Sequence, residues 1–582
     1  MRYTLWAGSV YVTTTSAFST WCGKYYELGA ARARPDLDGR FSYPPASPKR
    51  LLDFRCNTAS SLYLPDDVVY DPPAMIFDAN TTFDIGKDFI GAKGDDLSVS
   101  VYLDSGTLIL SAQIPLGFVG NVLRMDLSGI STSMVPQTLR CVASLRGQKF
   151  TDTTELLYLP YNPYHGSTVK LDRRSGALWA RNDVSRSPGW EKLIPFGWYD
   201  SIDTSEKRMS TSGNAMLPPW LKDETTPRMQ IEEQGVARKL TNIERLDLAK
   251  SLGFNMIHPV PPSTSYAPDG DFSAIDAYFD HAEDLGIWVM YDLRHAVTDP
   301  VIIAAQVESF RHRKNLLLWY TSDEPDGPSL PLDTTTVARS ITRHLDPYHH
   351  TALVLNCYDH HWTEYTRGTD IVLADVYSIA MNPIWSKKYG TEVTEDFGCS
   401  GCDECKGSPY DLPNRIDAWT DRARLSGRAR TLPIWVVPQA FEDHGDEFWW
   451  RIPTGAEGAV QILLAFNHGA MGHCAWLASD TTQDLLGNAS FIASHLYAQR
   501  RFIINAAATR RRVMTTVPKD GQNGLDLAAW TIEHSDWTET LVIAVQMNYL
   551  DMVVFSPIGV DGRIKEVLFG NVKMVDNAIE FK

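Results

Sequence analysis

The central part of the chain alternates apolar stretches with amphipathic ones. Apolar runs predict eight strands, at residues 193–199, 254–260, 287–292, 316–321, 351–356, 371–376, 434–438 and 472–476. Runs without polar alternation are typical of strands buried on both faces, as in a parallel sheet. Between them, Thr241 to Glu244 forms a capping-box motif that predicts a helix start, and a second helix is expected from Ser273 to Gly286. Eight strands that alternate with helices predict an α/β fold, a (β/α)8 TIM barrel.

The flanks of this region have a different pattern, in which apolar and polar residues alternate along short strands. The pattern occurs at residues 97–103, 107–113 and 122–127 before the barrel, and at 525–530 and 541–546 after it. Such spacing is typical of β-sandwiches. The sequence therefore predicts an N-terminal β-sandwich at 18–185, a barrel at 186–504 and a small C-terminal β domain at 505–582.

The N-terminus and the cysteines indicate an oxidising compartment. A mildly apolar stretch follows Arg2 and ends in small residues, which predicts a signal peptide at 1–17, although a first β-strand of the mature protein is the alternative. Sequons begin at Asn80 and Asn488, as in glycoproteins. We therefore expect a secreted, extracellular protein.

The chain has eight cysteines, three of them in the cluster Cys399, Cys402 and Cys405. Zinc requires four ligands, and no clear fourth ligand lies near this cluster. We therefore expect these three cysteines to be oxidised rather than metal-bound. Their connectivity cannot be derived from the sequence, and no metal site is predicted.

Charge and composition narrow the range of partners. The chain has 54 Lys and Arg against 71 Asp and Glu, a net charge of −17 without any basic run, which argues against nucleic-acid binding. No apolar run reaches the roughly 18 residues that a membrane span needs. The 17 Trp, 24 Tyr and 22 Phe provide flat faces that suit sugar rings. We expect a carbohydrate partner, and the oligomeric state stays open.

In barrels of this kind the active site lies at the carboxyl ends of the strands. The predicted strands deliver there Trp198, Tyr199, Asp292, Asp323, Glu324, Asn356, Asp375, Tyr377, Gln439, Glu442 and Trp476. This set is rich in carboxylates and aromatic rings, and no nucleotide-type glycine loop accompanies it, so no cofactor is predicted. Such a rim suits acid–base chemistry on a polyhydroxylated ring.

Glycoside hydrolysis needs one carboxylic acid to protonate the leaving oxygen and one carboxylate as nucleophile or base. Glu324 is our candidate for the acid, because it follows a buried strand and the neighbouring Asp323 and Asp326 should raise its pKa. The alternative is that Asp323 and Glu324 only cap the helix that follows.

The order of these segments resembles the clan A glycoside hydrolases, whose barrel carries N-terminal and C-terminal β domains. The segment Trp319-Tyr-Thr-Ser-Asp-Glu-Pro-Asp-Gly327 also resembles a group of fungal and bacterial proteins described as glycoside-hydrolase-like, in which Asp-Glu-Pro ends a barrel strand. The resemblance covers about residues 190–500. It implies a glycosidase, with the acid/base glutamate after strand four at Glu324 and a nucleophilic glutamate after strand seven.

The sequence departs from the clan at two positions. Asp323 replaces the usual Asn, and Gln439 stands where the nucleophile should be. An amide cannot form a glycosyl ester, so the second carboxylate is left open between Glu442 or Glu447 in the loop that follows, Asp375 and Asp292. The expected catalytic set is therefore Glu324, Asp375 and Glu442. The expected substrate-binding set is Asp323, Trp198, Tyr199, Asp292, Asn356, Tyr377, Gln439 and Trp476.

Three functions compete. The first is a secreted glycoside hydrolase that acts on a polysaccharide or glycan. The second is a non-catalytic carbohydrate-binding barrel that has lost the strand-seven nucleophile. A barrel enzyme of another class, an aldolase or metal-dependent hydrolase, is disfavoured because no lysine ends a predicted strand and no His-x-His pair occurs. A carboxyl separation of about 5–5.5 Å would indicate retention, and about 6.5–9.5 Å inversion.

Overall fold

The computed structural model describes residues 19–32, 39–182, 189–203, 230–233, 236–266, 272–441, 448–476, 481–515, 525–547, 554–556, 565–568, 572–575 and 578–581. The expected signal peptide at 1–17 and the expected catalytic Glu442 lie outside these residues. Within them, no helix combines the length and apolar character needed to cross a membrane.

The first described strands form a short hairpin, β1 (Thr20–Trp21) and β2 (Lys24–Tyr25). Between the two strands lies Cys22, which forms a disulfide with Cys357, 335 residues further along the chain. The hairpin is therefore anchored to the barrel, although the sequence places it next to the sandwich.

Two antiparallel sheets of four strands form the N-terminal sandwich, with strand orders β10-β9-β6-β7 and β5-β3-β4-β8. The elements are β3 (Leu51–Thr58), α1 (Asp67–Tyr70), β4 (Ala74–Thr82), β5 (Lys87–Asp88), β6 (Asp96–Leu103), β7 (Leu108–Pro115), β8 (Asn121–Arg124), β9 (Gln137–Leu145) and β10 (Gln148–Leu156). Phe54 and Phe77 of one sheet share a buried cluster with Val99 and Leu139 of the other. The predicted sandwich is confirmed.

A three-stranded sheet lies against the amino-terminal end of the barrel. It consists of β11 (Thr168–Leu171), β12 (Leu178–Arg181) and β13 (Glu191–Leu193). Its residue Val169 belongs to the same buried cluster as Met256 and Trp288, which begin two barrel strands. The sheet crosses position 185, and the domain boundaries at 185 and 504 remain predictions.

The barrel is closed by eight parallel strands, each of which overlaps one predicted apolar run. In chain order this region contains β14 (Phe196–Ser201), β15 (Gln230–Glu233), β16 (Val236–Lys239), β17 (Met256–Val260), β18 (Trp288–Asp292), β19 (Leu316–Asp323), β20 (His350–Leu355), β21 (Ile371–Asp375), β22 (Trp385–Ser386), β23 (Thr391–Glu392), β24 (Ile434–Val437) and β25 (His473–Ala475). The pairs β15–β16 and β22–β23 are separate hairpins. Closure occurs where β14 pairs with β25, with Phe196 opposite His473. The predicted barrel is confirmed.

Helices cover the outside of the barrel. They are α2 (Asn242–Ser251), α3 (Ser273–Leu285), α4 (Pro300–Phe310), α5 (Thr334–Leu345), α6 (Trp362–Arg367), α7 (Asp411–Leu425), α8 (Gly455–Asn467), α9 (Gln483–Ala498) and α10 (Arg500–Ile503). The predicted capping box is present, since the Thr241 side chain accepts from the Glu244 N–H and Glu244 accepts from the Thr241 N–H. Gly286 ends α3 in the left-handed region, at φ 68°.

The C-terminal part returns to antiparallel sheets. It contains β26 (Thr509–Thr515), β27 (Leu525–Glu533), β28 (Thr538–Gln546), β29 (Val554–Ser556), β30 (Val572–Val575) and β31 (Ala578–Phe581). Trp530 and Ile543 share the buried core of Ile462 on α8 and Phe502 on α10. The predicted C-terminal β domain is therefore present and packs on the helix layer.

Six of the eight cysteines form disulfides, namely Cys22–Cys357, Cys56–Cys141 and Cys402–Cys405. The expectation that all three clustered cysteines are oxidised is wrong for Cys399, which is a free thiol. The reason is local, because Cys402 pairs with Cys405 and leaves Cys399 over. Burial raises the pKa of the Cys399 thiol to about 11, so it stays protonated.

The disulfide Cys56–Cys141 joins β3 to β9 and thus the two sheets of the sandwich. Replacing both cysteines by alanine should lower the free energy of unfolding of the sandwich by about 2–4 kcal/mol, because the unfolded chain regains conformational freedom. Calorimetry would measure the change, with Cys399→Ala as a control that removes a thiol and no disulfide. An unchanged sandwich transition would contradict this assignment.

Candidate active site

Glu324 follows β19 directly, at the carboxyl end of the barrel. Its φ of 45° lies in the left-handed region, which costs a residue with a β-carbon roughly 1–2 kcal/mol. Its backbone N–H still donates to Val354 O at 3.2 Å, so the strand ladder holds this conformation in place. Strain of this kind at a strand end is a feature of functional sites.

The carboxyl groups of Glu324 and Asp375 are hydrogen-bonded to each other. Burial, and then the charge of Glu324, raise the pKa of Asp375 well above its usual range. Burial also raises the pKa of Glu324, although the hydrogen bond from Asp375 opposes this shift. No described N–H or O–H group donates to the buried Asp375 Oδ1, as suits a neutral acid. The raised pKa of both carboxyl groups favours a single proton retained between them.

Asn356, which follows β20, is the amide neighbour of this pair. Its Nδ2 donates to Glu324 Oε1 at 3.1 Å, and its Oδ1 accepts from the indole Nε1 of Trp21 at 3.0 Å. Glu324 thus receives one hydrogen bond from a neutral donor in addition to that from Asp375. The predicted positions Glu324, Asn356 and Asp375 do lie together.

Asp326 stabilises the turn that carries Glu324. Its carboxyl oxygens accept from the backbone N–H groups of Gly327, Asn356 and Cys357. Burial raises the pKa of Asp326 to about 7, against the effect of these donors. This side chain joins the end of β19 to the end of β20.

Asp323 and Asp292 are held by Arg294 rather than directed at the carboxyl pair. Arg294 donates to Asp323 Oδ2 at 2.5 Å and to Asp292 Oδ2 at 2.7 Å, and Tyr320 donates to Asp323 Oδ1 at 2.6 Å. Burial alone would raise the pKa of Asp292, but Arg294 and His258 lower it below the usual value. Asp292 is 0% exposed and is paired with Arg294 and His258, and its expected contact with substrate stays a prediction.

Gln439 ends the seventh strand in a structural role. Its Oε1 accepts from the Ile379 N–H at 3.1 Å, while its Nε2 donates to Ile379 O at 3.2 Å and to Phe441 O at 3.5 Å. The side chain is 1% exposed. The donors and acceptor of Gln439 are used on the backbone of two loops, and its expected contact with substrate stays a prediction.

The aromatic candidates divide between the two faces of the barrel wall. Trp198 is 2% exposed and packs against Phe254 in the outer core, away from the carboxyl pair, and its expected role in substrate binding stays a prediction. Neighbouring side chains on a strand point to opposite faces, and Tyr199 therefore points inward, where its hydroxyl donates to Tyr320. Trp476 is half-buried at the barrel mouth, and its ring centroid lies 4.9 Å from that of Tyr199.

Tyr377 lies beside the carboxyl pair. Burial and the charges of Asp375 and Glu324 raise the pKa of its hydroxyl well above the usual value, so it remains a neutral donor. Its ring packs edge-on against Phe441 and Trp449, with centroids 5.0 and 5.9 Å away. This packing fixes the ring near Glu324.

Trp21 and Arg294 are two residues of the site that the sequence pattern does not single out. Arg294 follows the third barrel strand in the sequence. Its ion pairs with two carboxylates form only in the folded chain, so the sequence does not predict them. Trp21 lies far from the barrel strands in the sequence. The neighbouring Cys22 is the one sequence feature that could have indicated its place in the site. In the described part of the chain, Cys22, Cys357 and Asp403 bring potential metal-ligand atoms within 4.8 Å, but both sulfurs belong to the disulfide and do not fit a metal.

Comparison with known proteins gives similarity at the level of structure alone. No family model and no curated protein matches the chain. A β-glucuronidase of Parabacteroides merdae is 10% identical with a TM-score of 0.32, over 87% of this chain and 67% of that one. An FMN-binding β-glucuronidase of Faecalibacterium prausnitzii is 11% identical with a TM-score of 0.32, over 88% and 72%. A putative β-galactosidase of Bacteroides fragilis is 9% identical with a TM-score of 0.34, over 86% and 73%. Values this low do not bear on activity.

The structural role of Gln439 can be tested by the change that would restore a strand-seven carboxylate. Gln439→Glu should lower the free energy of unfolding by about 1–3 kcal/mol, because Ile379 O loses its donor. The new carboxyl group can donate a hydrogen bond only when it is protonated. The loss in the free energy of unfolding should therefore be larger at pH 8 than at pH 5. Thermal unfolding at both values would measure it, with the exposed Gln113→Glu as control. Equal losses at the two pH values would speak against the assigned bonds.

Proposed function

We propose that this protein is a glycoside hydrolase. Its general acid is the carboxyl pair of Glu324 and Asp375, which shares one proton. The observation that carries the proposal is the hydrogen-bonded pair of buried carboxyl groups at the carboxyl end of a closed barrel. A raised pKa keeps a proton on the pair at pH values where an ordinary carboxyl group has lost it. An extracellular setting belongs to the proposal, and the three disulfides support it.

The pair would act on a glycosidic oxygen bound within hydrogen-bond reach. As the bond between the sugar carbon and this oxygen breaks, its electrons pass to the oxygen and the proton of the pair neutralises it. Water then adds to the sugar carbon, and its proton returns to the pair. While the pair carries both charges, the Asn356 amide stabilises Glu324 through its N–H.

A hydrogen-bonded pair is closer than the separation of about 5–5.5 Å at which a nucleophile and an acid flank a sugar. We therefore propose that Asp375 acts within the acid, instead of the expected role as the second, opposing carboxylate. Asp323 is engaged by Arg294 and Tyr320. Glu442 stays the candidate for nucleophile or base, as a prediction from sequence.

The second candidate function is a carbohydrate-binding barrel without catalysis. Gln439 favours it, since an amide bonded to the backbone of Ile379 occupies the end of the seventh strand. The half-buried Trp476 provides an aromatic face for a sugar in either function. Under this reading the chain binds glycans and does not turn them over.

Glu324→Gln separates these functions. The variant should bind glycan like the wild type, but hydrolyse a natural glycan with its poor leaving group about 10²–10⁴-fold more slowly. An aryl glycoside with a good leaving group needs little protonation and should show a much smaller loss. A panel of natural oligosaccharides and aryl glycosides would be assayed, with calorimetric titration for binding.

The matched control is Glu308→Gln, the same change at an exposed position of α4. It should behave as the wild type on every substrate. Full activity of Glu324→Gln on the natural glycan would refute the acid assignment. Glycan binding by a wild-type protein that hydrolyses no member of the panel would favour the binding function.

Asp375→Asn tests the shared proton. The rate of the wild type should fall as pH rises through the raised pKa of the pair, because the proton is then lost. The variant lacks the like charge beside Glu324, so Glu324 should lose its proton at lower pH. The alkaline limb of the pH–rate profile should therefore move to lower pH. An alkaline limb at the same pH as in the wild type would contradict the pairing of Glu324 with Asp375. Glu308→Gln again serves as the control.

A further inference from the structure

The hairpin β1–β2 lies at the mouth of the barrel and is fixed there by three ties. Cys22 forms the disulfide with Cys357, and its N–H donates to Gly327 O at 2.9 Å. Lys24 Nζ donates to Asp403 at 2.7 Å and to Glu404 at 2.6 Å. These ties hold the hairpin next to the turn that carries Glu324.

Trp21 lies tightly over Gly327. A β-carbon at this glycine would come within 2.4 Å of the indole ring, far inside contact distance. Gly327 does not have a positive φ, so glycine is required here for space rather than for backbone conformation. The close approach places the indole N–H 3.0 Å from Asn356 Oδ1.

The side-chain orientation of Asn356 depends on this contact. The backbone of Asn356 is fixed separately, because its N–H donates to Asp326 and its carbonyl accepts from Arg415. The nearby Cys22 Sγ is a disulfide sulfur without a proton to donate. Among the described residues, Trp21 is thus the donor that directs the amide oxygen away from Glu324.

We infer that Trp21 is a positioning residue, whose indole N–H holds the Asn356 amide with its NH2 group facing Glu324. Without that N–H, a half-turn of the amide would present its oxygen to Glu324 and replace a donor by an acceptor. The consequence for catalysis rests on the proposed function, whereas the geometric role does not.

Several other groups influence Glu324 electrostatically. They are the carboxyl groups of Asp323, Asp326 and Asp375, the guanidinium of Arg294, the Tyr377 hydroxyl and the Cys399 thiol. None of them is bonded to Trp21 among the described residues. Loss of the indole N–H alone, with a ring kept over Gly327, should therefore reach Glu324 through the Asn356 amide and raise the pKa of the pair.

Trp21→Phe removes the N–H and keeps an aromatic ring over Gly327. We expect the alkaline limb of the pH–rate profile to move up by about one pH unit, since a hydrogen bond to the ionised form is lost. The kcat on natural glycan should fall several-fold with KM unchanged, because the pair becomes a weaker acid. Trp537→Phe, at an exposed position in the C-terminal domain, is the matched control.

A readout independent of hydrolysis is the titration of carboxyl groups by carbon-13 NMR in wild type and Trp21→Phe. An upward shift for the pair supports the positioning role even where no glycan is hydrolysed, so the two proposals fail separately. Identical carboxyl titrations and pH profiles in the two proteins would overturn it.

Gly327→Ala provides a second route that does not change the indole itself. The added methyl group should displace the ring and reproduce the upward shift. In a Trp21→Ala background, Gly327→Ala should have no further effect on the titration, because the group it displaces is gone. An equal effect in both backgrounds would show that Gly327 acts without Trp21 and would refute the inference.

Discussion

Closure of the barrel brings the site together. The ladder between β14 and β25 completes a ring of parallel strands, and every strand in it must end on the same side. Side chains that follow β18, β19, β20 and β21 are therefore neighbours, although they are separated by tens of residues in the chain. The same closure removes them from water, which is why burial is the largest influence on the pKa values of Glu324 and Asp375.

The distribution of positive charge decides which carboxyl group keeps a proton. Arg294 forms ion pairs with Asp292 and Asp323, and it holds the pKa of the buried Asp292 below its usual value. In the described structure no cation forms an ion pair with Glu324 or Asp375. Two carboxylates in contact would repel each other strongly in this environment, so the pair holds a proton instead. The ion pairs of Arg294 occupy the carboxylates on one side of the barrel mouth. Glu324 and Asp375, on the other side, are thus the carboxyl groups that keep a proton to donate.

The sequence predicted the barrel because burial on both faces leaves a strong signal, an apolar run at each strand. Position at a strand end was sufficient to predict that Glu324, Asn356 and Asp375 lie together, while their roles stay predictions. Position alone did not show that Trp198 packs in the outer core, because a shift of one residue along a strand exchanges the two faces. The sequence also did not show the hydrogen bonds of Gln439 and Asp292, which are tertiary and have no local pattern. Trp21 could not be found at all, since a contact across 335 residues leaves no trace in spacing.

Asp326 connects the stability of the active-site turn to the chemistry beside it. Folding raises the pKa of this carboxyl group to about 7, so the folded chain binds the proton more tightly than the unfolded chain. Its contribution to stability is complete below the unfolded value near 3.8 and is lost as pH rises towards 7. The proton on the Glu324–Asp375 pair is lost in the same direction. Acidic conditions therefore favour the site in two ways. Protonated Asp326 stabilises the turn that positions Glu324, and the Glu324–Asp375 pair keeps its shared proton.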